Sequence, residues 1–367
     1  MCSYCCERVV SENLRNYLYE GVADVKEIDM KRLVVVLLLW VAGAGVHAQV
    51  KDSLSVMFWN LENFFDWTDH GTGESDKEFS SFGSRHWSRS KFHSKCNLVA
   101  KSVFWVSDRY GRMPDVIGLC EVENRGVLSR LLSSTLLRKY DYDIVHFDSG
   151  DRRGIDVALL YRKSSFELLS TSLKTPEYQG RKLRTRDMLH ARMKLCGLGD
   201  TLDFVVCHHP SKYGGSEESH QRRVAAMSAL AGLCDSLGRG HKVVMGDFND
   251  VPSAEQFEEV SYALVNKAKD LHVDGKGTIR YKGRWELIDM FLVDPSLVRI
   301  TRMEIIQVPF LMTFDRSFPG YKPLRTYSGP KYLGGVSDHC PIILKILLPL
   351  EDFKSPHSEI KTQNIIL

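Results

Sequence analysis

Nothing in this sequence breaks residues 50–350 into modules: there is no internal repeat, no low-complexity block and no Pro- or Ser-rich linker. A string of small units is excluded, and one large domain or two modest ones remain. Charge of one sign is also lacking. With 49 Lys and Arg against 46 Asp and Glu, the net charge is only +3, so charge alone marks no nucleic-acid binder. Of the nine cysteines, Cys2, Cys5 and Cys6 cluster in a stretch expected to be removed, so their spacing is not read as a metal site. The other six are Cys96, Cys120, Cys196, Cys207, Cys234 and Cys340. Cys120, Cys207 and Cys340 sit inside apolar runs, where a free cysteine behaves as a small hydrophobe, so reduced structural cysteines are expected.

A membrane-spanning run is missing as well. The apolar stretch Leu33 to Val41 falls short of the ~20 residues a spanning helix needs. It follows Met30-Lys31-Arg32 and precedes Val46-His47-Ala48, a basic, apolar, small-residue order that reads as a secretory signal peptide over residues 30–48. The bland alternative is a buried core helix. Residues 1–29 are then an upstream extension or a mis-assigned start, residues 49–350 the functional domain, and residues 351–367 a polar tail. No cysteine follows the cleavage site, which argues against a lipid anchor. The expectation is a secreted or periplasmic monomer without a stable membrane anchor.

What is present is a succession of short apolar runs. Leu54–Trp59, Val116–Cys120, Asp143–Phe147, Val157–Tyr161, Ala191–Leu195, Asp203–Cys207, Lys242–Gly246, Leu287–Val293 and Ile342–Leu347 read as strands. Ser90–Tyr110, Gly126–Leu137 and Ser219–Leu237 read as helices, the last with Val224, Met227, Ala231 and Cys234 on one face. Many strands and few helices predict two packed sheets covered by helices rather than one alternating parallel sheet.

Several of these strands end abruptly in a polar residue. Asn60 follows Val56–Trp59, Glu121 follows Val116–Cys120, and His208 follows Phe204–Cys207. Asp247 and Asn249 follow Val243–Gly246, Asp289 interrupts the Leu287–Val293 run, and Asp338-His339 precedes Cys340-Pro341-Ile342. Strands commonly end in polar turn residues. Six such endings are harder to dismiss, because sheet topology can gather strand ends at one rim. Oxygen-rich donors of this kind suit Mg²⁺, Mn²⁺ or Ca²⁺, whereas zinc draws on Cys and clustered His.

Taken in order, Trp59-Asn60-Leu61-Glu62-Asn63, Leu119-Cys120-Glu121-Val122-Glu123, His208-His209-Pro210-Ser211, Gly246-Asp247-Phe248-Asn249 and Ser337-Asp338-His339-Cys340-Pro341-Ile342 resemble the motif series of the endonuclease/exonuclease/phosphatase superfamily. The resemblance spans about residues 54–348. It implies a DNase I-like four-layered α/β sandwich, two mixed sheets face to face with helices outside, and a divalent-metal-dependent phosphoesterase. By the same resemblance, Glu121, Asn60 and Asp338 bind the metal, with Mg²⁺ expected and Mn²⁺ or Ca²⁺ as alternatives. Asp247 and Asn249 orient the attacking water and a phosphate oxygen. His339 is the catalytic histidine and Asp289 its holder. His208 matches the second histidine of the deoxyribonuclease branch, with Asp156 near its acidic partner. Arg186 resembles a phosphate-contacting arginine, and Asn63 and Glu123 flank motif positions. His209 receives no role.

The substrate is less determined by the sequence. Arg85 to His93 and Lys322 to Tyr332 interleave basic and aromatic residues, which suits nucleic acid if both are exposed, and otherwise marks a helix start and a surface loop. A nuclease is the first expectation. A phosphatase or phosphodiesterase acting on a lipid, inositol phosphate or other small phosphoester is the alternative, with Val308-Pro309-Phe310-Leu311-Met312 as a candidate lipid-docking segment. A non-catalytic secreted binding protein is the third reading, and it would leave gaps in a constellation that here has none.

Overall fold

The computed structural model describes residues 53–348, apart from Thr72 and residues 213–215. The upstream extension, the signal peptide and the polar tail expected from the sequence lie outside the described residues.

Twelve strands form two six-stranded sheets. They are β1 (Ser53–Phe64), β2 (Val116–Val122), β3 (Tyr142–His146), β4 (Asp156–Arg162), β5 (Phe166–Lys174), β6 (Met188–Leu195), β7 (Thr201–His208), β8 (His241–Asp247), β9 (Val265–Asn266), β10 (Asp289–Val293), β11 (Thr301–Ile305) and β12 (Ile342–Leu347). The first sheet runs β11-β12-β1-β2-β4-β3 and the second β9-β10-β8-β7-β6-β5. Each contains one parallel pair, β1 with β2 and β7 with β8, and is otherwise antiparallel. Parallel neighbours need a long crossover. Helix α1 (Arg89–Tyr110) supplies the first and α3 (Ser216–Leu237) the second, with the shorter α2 (Arg125–Ser134) after β2. The hydroxyl of Ser88 accepts from the Lys91 amide at the start of α1, and Gly111 ends the helix at φ +73°.

The pleat sorts the core. On β1, Leu54, Val56 and Phe58 face the space between the sheets, while Met57, Trp59 and Leu61 join a second cluster with Phe92, Val99 and Val103 of α1. The inter-sheet cluster reaches Phe204 and Val244 of the second sheet and Met227, Leu230 and Cys234 of α3. Helices, sheet, sheet and helix therefore stack in the four layers expected. The sheets approach so closely at Gly118 that a Cβ there would stand 2.4 Å from Met245 Sδ.

Some element limits differ from expectation. Helix α2 stops at Ser134 because Thr135 is extended and its hydroxyl accepts from the Leu137 amide, starting a separate 3-10 turn over Leu136–Lys139. Asp289 opens β10 rather than interrupting a strand begun at Leu287. Strands β5 and β11 escaped the pattern because much of each lies exposed or half-buried, leaving no apolar run to read. The six cysteines outside the N-terminal cluster are free, and all but Cys196 are buried.

Candidate active site

Strand register assembles most of the site. In the second sheet Asp247 of β8 lies level with His208 of β7 on one side and Asp289 of β10 on the other. In the first sheet Asn60 lies level with Cys120. Cys120 packs between the sheets, so alternation would send Glu121 towards the helices with Leu119 and Ile117. Instead the pairing with β4 slips between Cys120 and Val122, and Glu121 takes φ +59°. This bulge turns the carboxylate to the rim. Glu62, Asn63 and Asn249 share the left-handed conformation, at φ +44°, +52° and +52°. Such backbone costs ~1–3 kcal/mol at a non-glycine residue and gathers where a site over-determines it.

His339, Asp289 and Asp247 form a buried trio whose ligating atoms lie within 4.8 Å of one another. His339 Nδ1 is 2.8 Å from Asp289 Oδ2, while its Nε2 stands 3.9 Å from Asp247 Oδ2 and 3.8 Å from Asp338 Oδ1. Burial opposes the imidazolium, but Asp289, Asp247 and Asp338 outweigh it and hold the histidine well above its ordinary value. Burial and the nearby Asp289 push Asp247 up to about 7, against the pull of His339, the Asn249 amide and Asn60. Asn60 Nδ2 donates to Asp247 Oδ2 at 3.0 Å, tying the first sheet to the second. The Asn249 amide donates to Asp247 Oδ1 at 2.9 Å, and its Nδ2 to the His209 carbonyl at 2.9 Å. Trp59 Nε1 and the Ser337 hydroxyl fix the backbone around His339.

Glu121 accepts from the Asn63 amide at 2.8 Å and from Arg153 Nη2 at 3.1 Å, and Arg153 also donates to Asn63 Oδ1. Burial resists ionisation of Glu121, yet Arg153 and the Asn63 amide keep its carboxyl below the usual range. Beside it Glu62 accepts from Arg325 Nε at 2.9 Å and the Thr326 amide at 3.0 Å, and Arg325 Nη2 reaches Asp338 Oδ2 at 3.1 Å. Buried Lys95 donates to the Glu62 carbonyl at 2.6 Å and to Thr326 Oγ1 at 2.8 Å. Burial lowers Lys95 to about 8, opposed by Glu62, Glu121 and Asp338, while burial and then Asp338 raise Glu62 to about 7.

The sequence reading missed Arg153 and Lys95, quoted Glu62 only as part of the Trp59–Asn63 motif, and read Arg325 only as part of the basic–aromatic segment Lys322 to Tyr332. Lys95 carried a usable signal, since it sits among Phe92, Cys96 and Val99 on the buried side of α1. Arg153 lies in a charged turn, and only the fold brings it to Glu121.

His208 Nε2 lies 3.6 Å from Asp247 Oδ2, and burial with the cationic Arg186 and Arg153 keeps the ring neutral. Asp156 is not its partner. Alternation puts Asp156 on the helix-facing side of β4 with Ala158 and Leu160, in the other sheet, where it meets His146 Nε2 at 3.3 Å and the Ser149 amide at 2.9 Å. Arg186 is buried: Nη1 donates to Asp151 at 3.1 Å and Nη2 to the His209 carbonyl at 2.7 Å, while Nε has no hydrogen-bond partner among the described residues. It therefore braces the loop that holds Asn249.

The donor chemistry fits a hard divalent cation. Glu121 is held ionised, Asp338 is partly exposed, Asn60 adds an amide oxygen that also accepts from the Glu62 amide at 2.9 Å, and Glu62, Glu121 and Asp338 all act on Lys95 and Arg325. Two cavities open beside these groups. One of about 390 Å³ meets the site at Arg153 and Arg186 and is also lined by Arg152, Arg184, Arg222, Ser211 and Thr185. The other, about 320 Å³, meets it at Asp338 and Arg325 and is lined by Arg280, Tyr281, Lys282, Phe318 and Lys322.

The two basic–aromatic segments do not offer open stacking faces. Trp87 is fully buried and donates to the Phe65 carbonyl, and the segments pack on each other, with Arg85 and Lys91 over Tyr327. Within Val308–Met312, Val308 and Leu311 are buried and Phe310 lies under Lys101, so that segment is no lipid-docking surface. The neighbouring hairpin, Met312–Phe314 with Tyr321–Pro323, instead exposes Phe314, Phe318 and Tyr321. No helix among the described residues is long and apolar enough to cross a membrane.

The sequence profile of the endonuclease/exonuclease/phosphatase family matches residues 55–347. No curated protein matches the chain. Among solved structures, an endonuclease/exonuclease/phosphatase family protein from Bacteroides thetaiotaomicron is 18% identical with a TM-score of 0.54, over 81% of this chain and 98% of that one. A mannosyl-6-phosphatase from the same organism is 17% identical with a TM-score of 0.53, over 81% of this chain and 100% of that one. A family protein from Bacteroides vulgatus is 18% identical with a TM-score of 0.50, over 82% and 100%. At such identities the structural likeness is one of fold.

Proposed function

Because the chain belongs to the endonuclease/exonuclease/phosphatase family, whose members are metal-dependent phosphoesterases, we propose that it is a secreted or periplasmic phosphodiester hydrolase acting on nucleic acid. The carrying observation is the cavity of about 390 Å³ that joins the site at Arg153 and Arg186 and carries five arginines against the two carboxylates Asp151 and Glu218. Repeated guanidinium groups next to a single hydrolytic centre suit a substrate with more than one phosphate. The second cavity supports the same reading, since exposed Tyr281 and Phe318 beside Arg280 and Lys282 combine faces for bases with charge for phosphates. Export rests on the signal-like residues 30–48, and a monomer without an anchor is the accompanying expectation.

The family resemblance and the contacts of these side chains together support the following roles. Glu121, Asn60 and Asp338 would hold the divalent cation, taken to be Mg²⁺, with Mn²⁺ or Ca²⁺ as alternatives. When bound, it would neutralise charge on the phosphoryl oxygens. Asp247, with one oxygen fixed by the Asn249 amide and the other by Asn60, orients the attacking water. His339, kept cationic by Asp289, presents Nε2–H to the phosphoryl group. Neutral His208 lies beside Asp247 as a further donor. Asn63 and Arg153 keep Glu121 ionised and in place.

A second reading has one specific observation behind it. The exposed aromatic hairpin carrying Phe314, Phe318 and Tyr321 would suit a lipid phosphoester at a membrane surface. The deciding experiment compares hydrolysis of plasmid DNA, bis-p-nitrophenyl phosphate, mannose 6-phosphate and a phospholipid vesicle by the purified protein, with chelator and His339→Gln as controls. Nicking of plasmid that both controls abolish is the expected result. Turnover of the sugar phosphate or vesicle with intact plasmid would reject the nuclease in favour of the small-ester or lipid reading, and inactivity on all four would revive a binding protein.

A further inference from the structure

A second cluster of metal-ligating side chains lies outside the proposed catalytic groups, where the chain leaves β1 and β2. It comprises Asp66, His70, Asp76 and Glu123, and the three carboxylates are at least nine-tenths buried. Each is held on one side by the chain around it. Asp66 Oδ1 accepts from the Thr68 amide at 2.8 Å and hydroxyl at 2.6 Å. Glu123 Oε2 accepts from the Asp66 amide at 2.7 Å. Asp76 Oδ2 accepts from the amides of His70, at 2.9 Å, and Gly71.

The opposite oxygens of two of them are left over. Glu123 Oε1 and Asp76 Oδ1 are buried and no N–H or hydroxyl among the described residues donates to them, and the Asp76 carboxyl stands within hydrogen-bonding reach of that of Glu123. His70 completes the ring, with Nδ1 3.5 Å from Glu123 Oε1 and Nε2 3.3 Å from Asp66 Oδ2. Ligating atoms of Asp66, His70 and Glu123 lie within 4.8 Å of one another. Ligands ~2.0–2.2 Å from a tetrahedral ion stand ~3.3–3.6 Å apart, so closing on an ion needs movements of up to about an ångström. Among the described residues the guanidinium in contact is that of Arg130, whose Nη1 donates to Asp66 Oδ2 at 3.0 Å. One arginine against three buried carboxyl groups leaves the cluster short of positive charge. His70 is half exposed, which gives an ion a way in.

We propose that Asp66, His70, Asp76 and Glu123 form a second divalent-metal site, distinct from the one at Glu121, that binds a transition ion such as Zn²⁺ or Mn²⁺. The imidazole among the donors favours these ions over Ca²⁺, which takes oxygens alone. The site ties the loop after β1 to the residue that follows β2 and so fastens the segments that follow Asn63 and Glu121.

The test is direct metal binding, independent of hydrolysis. Metal-depleted full-length protein is titrated with Zn²⁺ and, separately, Mn²⁺ by calorimetry, using Glu121→Gln to weaken the catalytic site. Glu121→Gln is expected to keep one equivalent of tightly bound ion and a metal-dependent rise in Tm. Adding His70→Ala, at a half-exposed position that does not threaten folding, is expected to weaken that binding at least tenfold and remove the rise. Asp76→Asn serves as an independent second variant, with the same loss expected. If Glu121→Gln binds no ion, or if both added variants bind as it does, the proposal is overturned and Asp76 and Glu123 simply share a proton.

Discussion

His339 shows how much of this chemistry rests on single contacts. Its ring is buried, and its charge survives only because Asp289, Asp247 and Asp338 surround it. The change His339→Gln keeps a polar side chain but removes the cation, and turnover is expected to fall ~10²–10⁴-fold, measured as initial rates with Tm as the folding control. The motif residues were legible because each sits at the end of an apolar strand, where a polar residue stands out. Their partners were not, because Arg153 lies in a turn and Arg325 in an irregular link between short strands, and they meet Glu121 and Glu62 only through tertiary contacts. His209, which received no role, has a different task. It packs edge-on against Phe248 with ring centroids 4.9 Å apart, and burial, then Arg186 and Arg223, push it down to about 3. Since the unfolded chain takes up a proton near pH ~6.5 and the folded one does not, the contribution of His209 is full above ~6.5 and lost as pH falls towards 3. One such proton steepens the acid loss of stability by up to ~1.4 kcal/mol per pH unit. Urea melts between pH 6.5 and 4 are expected to show a shallower slope for His209→Gln than for the parent, and equal slopes would remove this role.

At the level of elements, the decisive features are departures from regularity. The bulge at Glu121 re-aims one carboxylate, yet the run Val116–Cys120 reads as an ordinary strand, because a bulge depends on the register of its neighbour. The same holds for Asp156, whose face was set by the pleat of β4 and not by its distance along the chain from a motif. Gly118 marks another departure. The sheets meet there without a side chain, and an added methyl would collide with Met245 and approach Phe58. Gly118→Ala is therefore expected to cost ~1–3 kcal/mol in urea unfolding. Met245→Ala alone leaves a cavity, but the methyl of Gly118→Ala partly fills it. The double variant should then lose less than the two single losses added together. Strict additivity would mean that the contact at Gly118 is not what sets the spacing of the sheets.

For the whole molecule, the consequence of this architecture is that neither sheet owns the site. Asn60 and Glu121 come from the first sheet, His208, Asp247 and Asp289 from the second, and Asn60 Nδ2 bonds Asp247 Oδ2 across the gap at 3.0 Å. The layered fold was readable from the ratio of strands to helices, but the pairing of the two halves was not, since it depends on which faces of β1 and β8 point inward. Sliding or parting the sheets would separate Asp247 from Asn60 before any strand unravels. The inter-sheet core is continuous with the packing beneath α3, so such a movement has to break the main hydrophobic cluster. Loss of activity and global unfolding should therefore coincide. In a urea series, hydrolysis, tryptophan fluorescence and far-ultraviolet circular dichroism are expected to share one midpoint. Trp59 is a suitable reporter, because its Nε1 bonds the His339 carbonyl at 2.9 Å. Hydrolysis lost well below the structural midpoint would mean that the rim opens on its own, with the two cavities and the loop after β1 loosening while the layered core stays closed.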